Sequence, residues 1–266
     1  MIRAVALLVI VAALAAPRPA RAQTTLTMGG DPVVQALVAD LAYFYRHSVS
    51  DPPQFALSGG NTTTGIADTE RGVADAGLVS RDKLADDPAD IVVTPLALSG
   101  ICLISSRANP VPNLTRAQLQ DLVAARITSW SQVPGSTRSD AIVPVGHTLA
   151  TGAGQVFRSV FVDVATPIDW KPVTVQTGME MRDYVEQTAA AIGYVDLALT
   201  EPVHVIDYEG VGCTRATIKD GSYPARRPLG VATRGRPRGA LARFLRWAST
   251  SKKARQVIAT RYIPTR

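Results

Sequence analysis

Ser58-Gly59-Gly60-Asn61-Thr62-Thr63-Thr64-Gly65 sets small, hydroxyl-bearing and glycine residues between an apolar segment ending near Leu57 and the helical residues after Ile66. A turn of that composition makes a cradle of backbone N–H groups, because the first four amides of a helix lack intrahelical acceptors and lie at the positive end of its dipole. The chemistry it offers is capture of an oxyanion without a metal, with Ser58, Thr62, Thr63 and Thr64 adding hydroxyls. An ordinary loop is the plain alternative. A second turn of the same kind, Gly146-His147-Thr148-Leu149-Ala150-Thr151-Gly152-Ala153-Gly154, follows the apolar run Ala141–Val145 and precedes a helix whose inner side carries Val156, Phe157, Val160 and Phe161. The two helix starts are expected to face each other with their amides free.

Little else suggests catalysis. His47, His147 and His204 form no HxxxH or HExxH pattern, and two cysteines complete no metal site, so no metal, cofactor or catalytic group is expected. Thr151-Gly152-Ala153 is not a nucleophile elbow, and a secreted hydrolase is the weak alternative.

Residues 1–22 have the order of a cleavable secretory signal: Arg3, an apolar run from Ala4 to Ala16, then Ala20-Arg21-Ala22. Its removal lowers the net charge from +6 to +3 and directs the chain to the periplasm or another extracytoplasmic space. That compartment permits a disulfide between Cys102 and Cys213, with two separate thiols as the alternative. The basic excess crowds toward the C-terminus, from Arg226 to Arg266, without a finger motif. A solvated basic face is the better reading, and no nucleic-acid partner is expected.

The elements that must position the turns alternate strand and helix, as in a mostly parallel sheet covered on both faces. Asp31-Pro32 reads as a helix cap and first position, followed by a buried stripe Val34, Leu37, Val38, Leu41, Phe44 and Tyr45. Helical residues are expected from Ile66 to about Arg71, and Thr115 with Gln118 reads as a capping box. Ile91–Leu98 and Ile101–Ile104 look like a chain passing from one sheet to another. The resulting plan is an α/β chain of two lobes, each a mixed, mostly parallel sheet flanked by helices. Residues 23–96 and 225–266 form one lobe, and 97–224 form the other.

With these segments in place, the chain resembles the phosphate-type substrate-binding proteins of bacterial ABC importers, which have a type 2 periplasmic-binding-protein fold. The resemblance rests on Gly72-Val73-Ala74-Asp75-Ala76-Gly77, on Asn109-Pro110, on Leu114-Thr115 through Leu119, and on Ile127-Thr128-Ser129-Trp130-Ser131-Gln132-Val133. It continues in Ala191-Ile192-Gly193-Tyr194-Val195 and in Asp220-Gly221-Ser222-Tyr223-Pro224 to Leu229. It implies a monomer that closes on a small inorganic oxyanion, phosphate first, and delivers it to an ABC permease or a membrane sensor. The family's second-lobe Ser/Thr-Gly-Thr turn corresponds to Thr151-Gly152-Ala153, and His147 stands where the family has an arginine. Arg81 is the side chain that could restore the lost cation, and a solvent-facing Arg81–Asp82 pair is the alternative. His147 is a ligand donor or a partly packed loop residue. These departures support a second reading, a two-lobed sensory or interaction protein that no longer binds phosphate tightly.

Overall fold

The computed structural model describes residues 23–148 and 151–265; the expected leader, residues 1–22, lies outside them. Strand β1 (Thr25–Gly30) lies between β2 (Gln54–Ser58) and β3 (Ala76–Val79), parallel to both. Helix α1 (Pro32–Arg46) starts at Asp31, whose Oδ1 accepts the Val33 amide at 3.0 Å, and buries Val34, Leu37, Val38, Leu41 and Tyr45. The cap and the apolar spacing are both as the sequence indicates.

Helix α2 (Thr62–Glu70) begins four residues before Ile66. Asn61 and Thr64 form a reciprocal capping box, so Thr62, Thr63 and Thr64 are its first helical turn and not part of the preceding loop. The helix lies close on the sheet at Gly65, where a Cβ would come within 2.7 Å of the Gly29 carbonyl oxygen.

β4 (Ile91–Ser105) carries the chain between lobes. Its first part pairs antiparallel with β10 (Arg226–Arg234), and from Ile101 onward it pairs antiparallel with β8 (Ala191–Asp196) and β9 (His204–Tyr208). β10 also pairs with β3. The second lobe adds β5 (Asn113–Leu114) beside β9, and β6 (Val143–Gly146) between β8 and β7 (Val173–Thr174), all in parallel. Its helices are α3 (Arg116–Val123), α4 (Gly152–Val156) running into a π-helical turn at Phe157–Val162, α5 (Gly178–Gln187) and α6 (Arg215–Asp220). α7 (Gly239–Thr250) and α8 (Lys252–Ala259) return to the first lobe, and β11 (Ile263–Pro264) joins β4.

Two large cores follow this division. One gathers Met28, Leu37, Leu41, Leu229, Phe244 and Ile258; the other gathers Ile101–Ile104, Trp130, Phe161, Tyr194, Tyr208 and Tyr223. The chain is therefore a two-lobed α/β protein. Residues 235–265 contain eight Lys or Arg and no acid, and all eight are exposed, so the basic cluster is a solvated face of α7, α8 and their flanks.

Cys102 and Cys213 are joined by a disulfide inside the second core, with Cα atoms 5.5 Å apart and 111 residues between them in sequence. Closing so long a loop restricts the unfolded chain strongly, by about 2–5 kcal/mol. Replacing both cysteines by alanine is expected to lower the free energy of urea unfolding by that amount, and an unchanged midpoint would show that the link does not stabilise the fold.

Candidate functional site

The lobes meet around Ser80, which follows β3 and is fully buried. Its amide donates to Thr62 Oγ1 at 3.1 Å, and its hydroxyl donates to Asp31 Oδ2 at 2.6 Å. Arg227, near the start of β10, donates from Nη1 to the same hydroxyl at 2.7 Å and from Nη2 to Asp196 Oδ2 at 2.8 Å. Asp196, at the end of β8, accepts Ser99 Oγ at 2.8 Å and the Ala198 amide at 3.0 Å through Oδ1. A continuous polar chain, Asp31–Ser80–Arg227–Asp196–Ser99, thus runs from one lobe through the connecting strands into the other.

Arg227 and Asp196 are each 2% exposed, a deeply buried ion pair. Such a pair survives only when its remaining polar atoms are satisfied. One is not: Arg227 Nε is buried and has no hydrogen-bond partner among the described residues. Arg227 lines a cavity of about 60 Å³ at the seam, together with Asp31, His147, Thr151, Gln176 and Asp196. A fixed guanidinium on the lining of a hole of a few atoms' size is chemistry for a small anion.

The residues singled out from the sequence divide into three groups. Thr62, His147, Thr151 and Gly152 lie at the seam. Thr62 is buried against Ser80, and Gly152 at the start of α4 comes so close that a Cβ there would lie 2.1 Å from Ser80 Oγ. The two helix starts therefore face each other, as expected, but their side chains claim part of the cradle. Asn61 Oδ1 takes the Thr64 amide, and Thr151 Oγ1 takes the Gly154 amide while donating to Thr148 O. Thr63 and Arg81 stand at the edge of the seam and join the lobes through Gln155, which accepts Arg81 Nε at 2.6 Å and donates to Thr63 Oγ1 at 3.3 Å. Ser58 and Thr64 are exposed and do not line the cavity. Leu149 and Ala150, within the second turn, lie outside the described residues.

Arg81 does not supply the missing cation. Both of its Nη groups grip Asp87, at 2.6 and 2.8 Å. Burial would raise the Asp87 pKa, yet the Arg81 hydrogen bond and charge, with the Leu84 amide, hold it below the ordinary carboxylate range. Neither does His147. Burial lowers its pKa, and Arg227 adds to that, against the Val175 carbonyl and the charges of Asp31 and Glu180, which raise it. Val175 O can only accept, so Nδ1 carries the proton in the 3.1 Å contact and Nε2 is left as an acceptor. A histidine depressed in this way binds fewer protons folded than unfolded, so its contribution to stability is complete above the ordinary pKa of 6.5 and is lost as pH falls below it. Unfolding free energy should rise as pH increases toward 6.5 and level off above it, and His147→Gln should flatten that rise; an equally steep profile in the variant would exclude His147 as its source.

A family model described as the PBP superfamily domain matches residues 15–252. The chain belongs to the PBP superfamily. Among solved structures, this PBP-superfamily protein is similar to a putative phosphate ABC transporter substrate-binding protein with bound phosphate from Clostridium perfringens. The TM-score is 0.83 and the identity 21%, over 91% of this chain and 100% of that one. It is similar as well to an ABC-type phosphate transport receptor from Vibrio cholerae, with TM-score 0.74 and 24% identity over 90% of this chain and 99% of that one. These likenesses establish the fold. The phosphate-binding protein PstS 2 of Streptococcus pneumoniae is 25% identical over 108 residues, 41% of this chain, and the match spans only 37% of that relative.

Sequence reasoning missed Arg227, Asp196 and Ser99. A usable signal was present in Arg226-Arg227-Pro228-Leu229-Gly230-Val231-Ala232, where two arginines open an otherwise apolar run. Tyr194 and Trp130 pack in the second core. Tyr194 stacks on Phe157 with ring centres 4.3 Å apart, and burial pushes its hydroxyl pKa up to about 12. Trp130 Nε1 donates to Ala190 O at 2.8 Å.

Proposed function

We propose that this chain is an extracytoplasmic binding protein that captures a small protonated oxyanion, phosphate foremost, between its lobes for delivery to a membrane permease. The observation that carries the reading is the buried Arg227 with its unpartnered Nε, lining the small cavity at the seam. The related proteins, an ABC-type phosphate transport receptor and a phosphate-binding protein, point the same way. A leader in residues 1–22 and action as a monomer belong to the same reading, as does the division into lobes of 23–96 with 225–266 and of 97–224. No covalent step is part of it.

The lining gives the ligand its protonation state. Besides Arg227, the walls offer the carboxylates of Asp31 and Asp196 and the bare Nε2 of His147 as acceptors. A ligand there must bring its own O–H. Protonated phosphate does, whereas sulfate would set a fully ionised oxygen against an acceptor, an unpaired contact costing several kcal/mol.

Titration calorimetry of refolded, phosphate-free protein tests this directly. Saturable heat with phosphate and at least a hundredfold weaker response to sulfate is the expected result, and equal affinity for both ions would remove the argument from protonation. A second reading rests on Asp196, which already neutralises Arg227 at 2.8 Å: the chain would keep the two-lobed shape as a sensory or interaction protein. Absence of heat with phosphate, sulfate and small carboxylates would select it.

A further inference from the structure

A groove of about 400 Å³ runs along the lobe seam and shares only Arg227 with the cleft cavity. Its apolar walls are Leu84 from the first lobe and Val156, Val160 and Val164 from the second. Leu84 and Val164 stand at the surface, 42% and 71% exposed, so apolar area is open to water at the groove's edge.

The polar side of the groove is cationic. Arg81 is committed to Asp87 and Arg227 to Asp196, but Arg158 and Arg226 have no carboxylate partner among the described residues. One acid, Asp82, lies on the lining, and its side chain is exposed. Arg158 gives Nη2 to the carbonyl oxygen of Val164, while its Nη1 is buried without a partner among the described residues. Arg158, a cation on the lining beside valine walls and without a carboxylate partner among the described residues, asks for an acceptor that carries hydrocarbon behind it. The volume is in the range of small-molecule sites and far exceeds that of the cleft cavity, which has room for a few atoms.

We propose that this groove is a second ligand site, for an organic anion with a short aliphatic chain, its carboxylate on Arg158 and its chain along Val156, Val160 and Leu84. Because both lobes wall the groove, an occupant stabilises the closed arrangement and tightens whatever the cleft holds, by the same factor in each direction. That linkage rests on the anion-capture reading; the site itself does not.

Octanoate titrated calorimetrically into the purified protein is the probe. One saturable site is expected, with octylammonium at least tenfold weaker. Arg158→Gln should weaken octanoate by about tenfold to a hundredfold, the worth of a charge-assisted hydrogen bond. Val164→Asp, on an exposed side chain that folding does not require, should weaken it as well by placing a negative charge at the rim. No saturable binding, octylammonium binding as tightly as octanoate, or octanoate affinity unchanged in both variants would overturn the assignment. Phosphate titrated alone reports on the cleft separately, so loss of phosphate binding with octanoate binding intact would refute capture in the cleft and leave the groove standing.

Discussion

Arg227→Met is expected to abolish measurable phosphate binding and to destabilise the fold by about 3–5 kcal/mol, the usual cost of stranding one member of a buried ion pair. In that variant Asp196 Oδ2, 2% exposed in the parent, loses its only side-chain donor among the described residues, and Ser80 loses the guanidinium that holds its hydroxyl at 2.7 Å. The two losses have different origins and can be separated. Adding Asp196→Asn removes the stranded charge but keeps an oxygen for Ser99 Oγ and the Ala198 amide. The double variant should therefore regain most of the thermal stability and none of the anion affinity. Calorimetric titration beside thermal unfolding checks both halves. A double variant that is stable and binds phosphate like the parent would show that Arg227 is structural only, and the anion would need another cation.

The difference between what the sequence disclosed and what it concealed follows from the range of the interactions. Asp31, Thr115 and the apolar stripe of α1 act within four residues, and their roles are visible locally. The passage of β4 between sheets was legible too, because its apolar run is too long and interrupted for one sheet. The start of α2 was placed too late: Asn61 can cap as well as turn, and its reciprocal bonds with Thr64 decide the matter. Arg227 was hidden among neighbouring arginines. Its burial depends on Asp196, 31 residues away, and on Ser80, 147 residues away, and no local pattern encodes either partner. Arg81 was misleading for the opposite reason. Its true partner, Asp87, is six residues on, across a loop whose path the composition does not specify.

The second large effect is expected at Gly152, where Gly152→Ala should hold the lobes apart. A Cβ at this position would lie 2.1 Å from Ser80 Oγ, 3.0 Å from Thr62 Oγ1 and 3.3 Å from Ser80 Cβ, all across the seam. Ser80 cannot turn aside, because Asp31 and Arg227 fix its hydroxyl from two directions. With the lobes separated the same methyl group meets no such contact, and alanine is the better helix residue. Overpacking of this kind costs about 1–3 kcal/mol, so phosphate should bind roughly five- to a hundredfold more weakly while thermal stability without ligand stays level or rises. Small-angle scattering supplies the readout that a merely structural effect would not move: the parent should contract on adding phosphate, and the variant should not. Combining Gly152→Ala with Ser80→Ala removes the nearest atom and should restore part of the contraction, although not the affinity, since the link from Asp31 to Arg227 is then broken. If Gly152→Ala contracts and binds as the parent does, the contact between α4 and Ser80 is not where closure is decided.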